Sequence, residues 1–114
     1  MRIAIIIVVL ASLTGFNLQQ TQNTMPGNRA REAKTLFRKS CVRCHGSDGR
    51  GETTKGQLLG ATDFTDAEWQ ERVADQRLIN AITHGKGEMP GFEKKLTKDQ
   101  IALLTLYVRT FKTN

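Results

Sequence analysis

The stretch "CVRCH", residues 41–45, places two cysteines three positions apart and a histidine directly after the second. Two thiols and an imidazole can bind a metal ion, cycle between dithiol and disulfide, or carry a covalently attached haem. The residues on either side of the motif weigh these chemistries and also set the fold.

Upstream, Ala30, Ala33, Leu36 and Phe37 recur at three- and four-residue steps, and Ser40, Cys41 and Cys44 continue the stripe. That is the helical period, and it predicts a helix from about Asn28 to Cys44. Downstream, Thr65 and Glu68 form a T-x-x-E capping box, predicting a short helix from Asp66 to about Ala74. Asp75 is a candidate cap for the next helix, whose apolar face is Leu78, Ile79 and Ile82 and whose end falls at Gly85. Thr97 and Gln100 make a further capping box. The helix after it carries Ile101, Leu104, Tyr107, Val108 and Phe111 on one side. No run alternates with period two for long enough to make a strand. The fold class is all-α.

Two glycine-rich loops lie between these helices, "HGSDGRG" (45–51) and "GKGEMPGF" (85–92). Glycine permits close backbone approach, which ordinary connections seldom need so often. One loop directly follows the cysteine motif. The other encloses Met89, the single methionine of the region expected to fold. A flat group between the two loops would account for both.

A structural zinc site needs about four ligands, usually as two Cys or His pairs. Here Cys41, Cys44 and His45 have only the distant His84 to complete such a set. A thioredoxin-like dithiol needs a strand before the motif and a βαβ frame, and neither is visible. A single structural or redox disulfide is the remaining plain alternative. Haem uses every part of the motif. Two thiols one turn apart can add across the two vinyl groups of a porphyrin, and the next residue projects its imidazole toward the iron.

The N-terminal segment bears on compartment. Met1-Arg2 gives a positive end, and Ile3 to Phe16 is an uncharged, largely apolar run. It is shorter than the roughly 20 residues of a membrane-spanning helix, which suits a secretory signal. No A-x-A triplet closes the run and Ser12-Leu13-Thr14 is only a passable small-x-small cleavage site, so an uncleaved anchor stays open beside a removed signal. Residues 17–28, "NLQQTQNTMPGN", are polar and without charge, and read as a linker ending near Gly27 or Asn28. With 114 residues and two cysteines there is room for one domain and no disulfide framework.

Taken together these residues resemble the small class I cytochromes c. The similarity covers Ala30 to Phe111. "AKTLFRKSCVRCHGSDGRG" looks like that family's first helix and haem-attachment loop, "LINAITHGKGEMPGF" like its methionine-ligand region, and "LTKDQIALLTLYVRTF" like its closing helix. The resemblance implies one covalently bound haem c enclosed by three to five helices, the first and last crossing near a small residue and aromatics. Phe37 and Tyr107 match those aromatics, while Ala33 stands where the family commonly has glycine, implying a slightly wider crossing.

On the same basis Cys41 and Cys44 are the thioether attachments and His45 the proximal iron ligand, its Nδ1 proton meeting a backbone carbonyl. Met89, stiffened by Pro90, matches the distal ligand. His84 is the competitor for that role. Trp69, Arg50, Lys55 and Arg72 are candidate propionate partners, and Phe92, Leu59 and Ile82 candidate pocket walls. The implied domain map is a signal or anchor at 1–18, a polar linker at 19–28 and the cytochrome c domain at 29–114.

With imidazole and thioether filling both axial positions, substrate has no open site on the iron. The implied function is therefore one-electron transfer between redox proteins and not enzymatic turnover. A membrane-tethered haem domain, or a subunit of a larger oxidoreductase, is the alternative. The expected location is periplasmic or otherwise extracytoplasmic, and the expected state a monomer. Charge adds a partner: residues 29–55 carry eight basic and three acidic side chains, whereas residues 63–75 carry one basic and five acidic. The net charge of +6 would also suit nucleic acid. An exported helical haem domain instead calls for a redox partner with an acidic docking surface, or for an anionic membrane surface.

Overall fold

The computed structural model describes residues 25–113. The export segment expected at 1–18 and most of the polar linker lie outside the described residues. Helix α1 (Gly27–Ser40) begins directly after Pro26, whose carbonyl accepts from Ala30 N at 3.0 Å. Proline suits this position because it already lacks the N–H that a helix start leaves unpaired. Helix α1 thus begins inside the last residues of the stretch expected as linker.

The single helix expected from Asn28 to Cys44 is divided. Cys41 departs from helical geometry, with φ −118°, and the chain resumes as α2 (Val42–His45) before stopping at Gly46. A β-carbon pattern carries no mark of such a one-residue break, since the apolar stripe runs through it.

Helix α3 (Thr54–Leu59) was not foreseen. Thr53 caps it by accepting from Gly56 N, and Gly60 closes it in the left-handed region. Helix α4 (Ala67–Arg72) corrects the capping box expected at Thr65. Asp66 is the cap, accepting from Trp69 N, whereas Thr65 bonds to Asp63. Helix α5 (Asp75–His84) contains Asp75 as its first residue and not as its cap. Helix α6 (Lys98–Arg109) starts at the expected capping box, with Thr97 and Gln100 bonding reciprocally. Between α5 and α6 the glycine loop folds back as a minimal hairpin, β1 (Gly85–Lys86) against antiparallel β2 (Met89–Pro90). Two-residue strands are too short for alternation to reveal. The all-α class stands, with its helices divided more finely than the periodicity suggested.

The core forms where α1 and α5 pack on α6. Ala33 and Phe37 are the buried side chains of α1, and Ile101, Leu103, Leu104 and Val108 are among those of α6. Phe37 is 1% exposed, and its ring centroid lies 5.2 Å from that of Tyr107 and 5.1 Å from that of Phe111. The aromatic pair expected at the crossing is thus in contact. Burying a side chain of this size is worth roughly 1.5–3 kcal/mol.

Candidate haem-attachment site

Cys41 sits at the joint between α1 and α2, and Cys44 lies in α2; both are half-buried and free. The Cys41 carbonyl accepts from Cys44 N at 3.1 Å and from His45 N at 3.0 Å, winding the motif into one tight turn. Burial, reinforced by the neighbouring Cys44, pushes the Cys41 thiol up to about 12. Disulfide exchange needs a thiolate nucleophile, so Cys41 held neutral would not be the attacking thiol of such a pair.

His45 is buried, 8% exposed. Its Nδ1 lies 3.2 Å from the carbonyl oxygen of Thr62. A carbonyl oxygen can only accept, so this contact requires the proton on Nδ1 and leaves Nε2 with the free lone pair. Burial holds the imidazole below its ordinary pKa, with the Thr62 bond acting in the opposite sense. A neutral, oriented imidazole is the form a metal needs. Its ring also stacks on Phe64, with centroids 4.2 Å apart and planes at 16°.

Thr53 fastens the end of the motif. Its hydroxyl lies within 2.9 Å of the Arg43 carbonyl and 3.0 Å of the Cys44 carbonyl, while its oxygen accepts from Gly56 N. Met89 is half-buried and packs on the same apolar core that Phe64 and Ile82 belong to. Its loop is held by the hairpin and by Phe92 N, which donates to the Ile82 and Thr83 carbonyls. Gly85, at φ +82°, allows the Met89 carbonyl to approach where a β-carbon would come within 2.5 Å.

The other candidates separate on position. His84 is turned outward, its side chain 66% exposed and its Nδ1 3.5 Å from a Glu93 oxygen. Arg50 and Arg72 are exposed beside Asp48 and Glu68, and Lys55 is exposed on α3. Trp69, Phe92 and Ile82 pack in the core, while Leu59 is half-buried. Among the described residues no three His, Cys, Asp or Glu side chains converge as a metal site. Two surface depressions, one beside Arg29 and Asp99 and one beside His84 and Glu93, are lined by none of Cys41, Cys44, His45 and Met89. The donor chemistry, not surface concavity, marks the site: two thiols, a neutral imidazole and a soft thioether around one apolar core fit haem c.

Comparison with known proteins agrees. Residues 28–108 match the family model described as cytochrome c oxidase, cbb3-type, subunit III. The chain belongs to this family of monohaem c-type cytochrome domains. Members carry covalently bound haem c, and the site fits that group.

The cbb3-type cytochrome c oxidase subunit FixP of Bradyrhizobium diazoefficiens is 33% identical over 88 residues, 76% of this chain and 29% of that protein. The chain thus spans about three tenths of the oxidase subunits it matches. Cytochrome c6 of Leptolyngbya boryana is 34% identical over 73 residues, 64% of this chain and 81% of that protein. Among solved structures, the KustC0563 c-type cytochrome superposes with a TM-score of 0.68 at 40% identity, covering 71% of this chain and 98% of that one.

Several contributors at the site were not singled out from sequence. Thr62 acts through a backbone carbonyl, which any residue could supply. Phe64 lies outside the periodic stripes. Thr53 and Gly56 belong to α3, whose signal was available as a threonine cap followed by Leu58, Leu59 and a closing Gly60.

Proposed function

We propose that this protein is an exported one-electron carrier, with haem c attached through Cys41 and Cys44 and its iron bound by His45 and Met89. When bound, the haem supplies one reversible one-electron couple. The observation that supports this reading most is the locked His45 imidazole: buried, Nδ1 committed to Thr62, Nε2 available. Thr62 raises the basicity of the ligand by holding the Nδ1 proton. Met89 contributes a soft thioether, which favours the ferrous state and raises the potential. The packed hydrophobic side chains around both ligands exclude water and so help set that potential.

With the iron held by both His45 and Met89, a substrate would find no ligand that it could displace cheaply. The protein therefore passes electrons and does not catalyse a reaction at iron. Potentiometric titration of the purified protein should follow a single one-electron curve, and the reduced form should not bind carbon monoxide. Ready binding of carbon monoxide would refute the carrier reading in favour of an open-site enzyme.

A second reading is that of a tethered domain or subunit of an oxidase, favoured by the match to FixP and CcoP subunits. The coverage of 98% of the KustC0563 chain and 81% of cytochrome c6 favours a stand-alone carrier. Among the described residues no helix is long and apolar enough to cross a membrane. The mature N-terminus, read by mass spectrometry, separates a cleaved form from an anchored one. Co-purification with oxidase subunits would mark the second reading.

A further inference from the structure

Gln70, 6% exposed, is no ligand, yet its amide joins three parts of the fold. Its Nε2 donates to the Phe64 carbonyl at 2.8 Å and to the Val108 carbonyl at 2.9 Å. Its Oε1 accepts from Arg109 Nη1 at 2.9 Å. Arg109 in turn donates from Nη1 to the Gln70 backbone carbonyl at 2.8 Å, from Nη2 to the Val73 carbonyl, and from Nε to Asp75 at 2.8 Å.

These partners permit one orientation of the amide. Rotated by half a turn, it would set its NH2 against a guanidinium, which only donates, and its oxygen against two carbonyls, which only accept. The planar fork of Arg109, itself anchored on three other oxygens, enforces the choice.

The carbonyl that Gln70 holds belongs to a segment acting on His45 in two ways. The Phe64 ring stacks on the imidazole face, and Thr62 accepts the imidazole's Nδ1 proton. Phe64 N also donates to the Gly49 carbonyl at 2.8 Å, so both of its backbone polar groups are fixed. A residue needed at position 70 only to fill space would be apolar, because a buried amide costs free energy unless every group is paired.

We propose that Gln70, oriented by Arg109, is a positioning residue for His45: it fixes segment 62–64 and thereby the imidazole's orientation and its bond to Thr62. This rests on His45 being the proximal ligand. Loosening the segment weakens the Nδ1–H bond to Thr62, makes the imidazole a poorer electron donor, and raises the reduction potential.

The test uses the haem-loaded full chain with Gln70→Glu, which keeps the volume and the Arg109 partner but replaces both donors, and with Arg109→Lys, which removes the fork. The potential of each variant is measured, together with the hyperfine-shifted ring-proton resonances of ferric His45. Expected are displaced His45 resonances and at least a threefold change in the redox equilibrium constant, about 28 mV upward at 59 mV per tenfold. Lower thermal stability with potential and His45 resonances unchanged would overturn the proposal and leave Gln70 a packing residue. Should Gln70→Glu fail to take up haem, Arg109→Lys decides alone. Wild-type protein without hyperfine-shifted His45 ring resonances would refute the ligand assignment itself, whatever the variants do.

Discussion

Gly56 lies directly on the backbone of Cys44: a β-carbon at position 56 would come within 2.1 Å of the Cys44 carbonyl oxygen and 2.4 Å of that of Gly51. Helix α3 therefore forms a floor beneath the attachment turn. Thr53 adds its hydroxyl to the same carbonyl. The two nearest obstacles to a side chain at 56 are backbone atoms, which cannot swing aside, and Thr53 Oγ1 follows at 2.9 Å.

Gly56→Ala should accordingly destabilise the domain by about 3 kcal/mol, the upper end of overpacking costs. Gly27→Ala is the comparison, because nothing lies within 4 Å of a β-carbon there and the residue sits in α1. It should be neutral or stabilise by about 0.5–1 kcal/mol. Denaturant melts of the two variants check both values. Equal losses would mean that α3 does not bear on the attachment turn as described.

Much of this arrangement was legible beforehand, for physical reasons that differ by element. Phe37, Leu78, Ile82, Ile101, Leu104 and Val108 are buried where helical periodicity put them. The Thr97–Gln100 box was readable because both partners are side chains. What escaped depends on backbone or on single residues: the break at Cys41, the Thr62 carbonyl, the two-residue hairpin around Met89. At Thr65 two adjacent residues could each cap a helix. Asp66 won, and Thr65 went to Asp63. Gln70 and Arg109 carry no local signal because partners of theirs are 38 and 36 positions away, at Val108 and Val73.

Met89→Ala should remove the weak band that a thioether–ferric iron bond gives near the red edge of the visible spectrum. The potential should fall, within the roughly 0.8 V that axial ligands span. The variant should also acquire a site for small external ligands. His84→Ala should leave the band intact, since that side chain faces solvent beside Glu93. A band that survives Met89→Ala but not His84→Ala would reassign the ligand.

Electron transfer to an acidic partner should slow as salt rises. Arg29, Arg31, Lys34, Arg38, Lys39, Arg43 and Arg50 are all exposed on α1, α2 and the loop after them. Exposed basic residues in this number steer an acidic surface and raise its association rate more than its final affinity. The Debye length falls from about 10 Å at 0.1 M salt to about 3 Å at 1 M, so steering should largely disappear over that range. Charge reversal at Lys39 and Arg43 should lower the second-order rate and flatten its salt dependence, as stopped-flow measurement with the partner would show. A rate that is flat or rising with salt would assign docking to apolar contacts or to the acidic stretch 63–75.

Covalent attachment of haem through the two cysteines is the central claim, and the intact mass of the purified protein tests it most directly. The mass should exceed that of the polypeptide by one haem and should stay so after denaturation and acidified organic extraction. Cys41→Ala combined with Cys44→Ala should return it to the mass of the chain alone. A wild-type protein that loses its haem on extraction, or never carries one, would contradict the account.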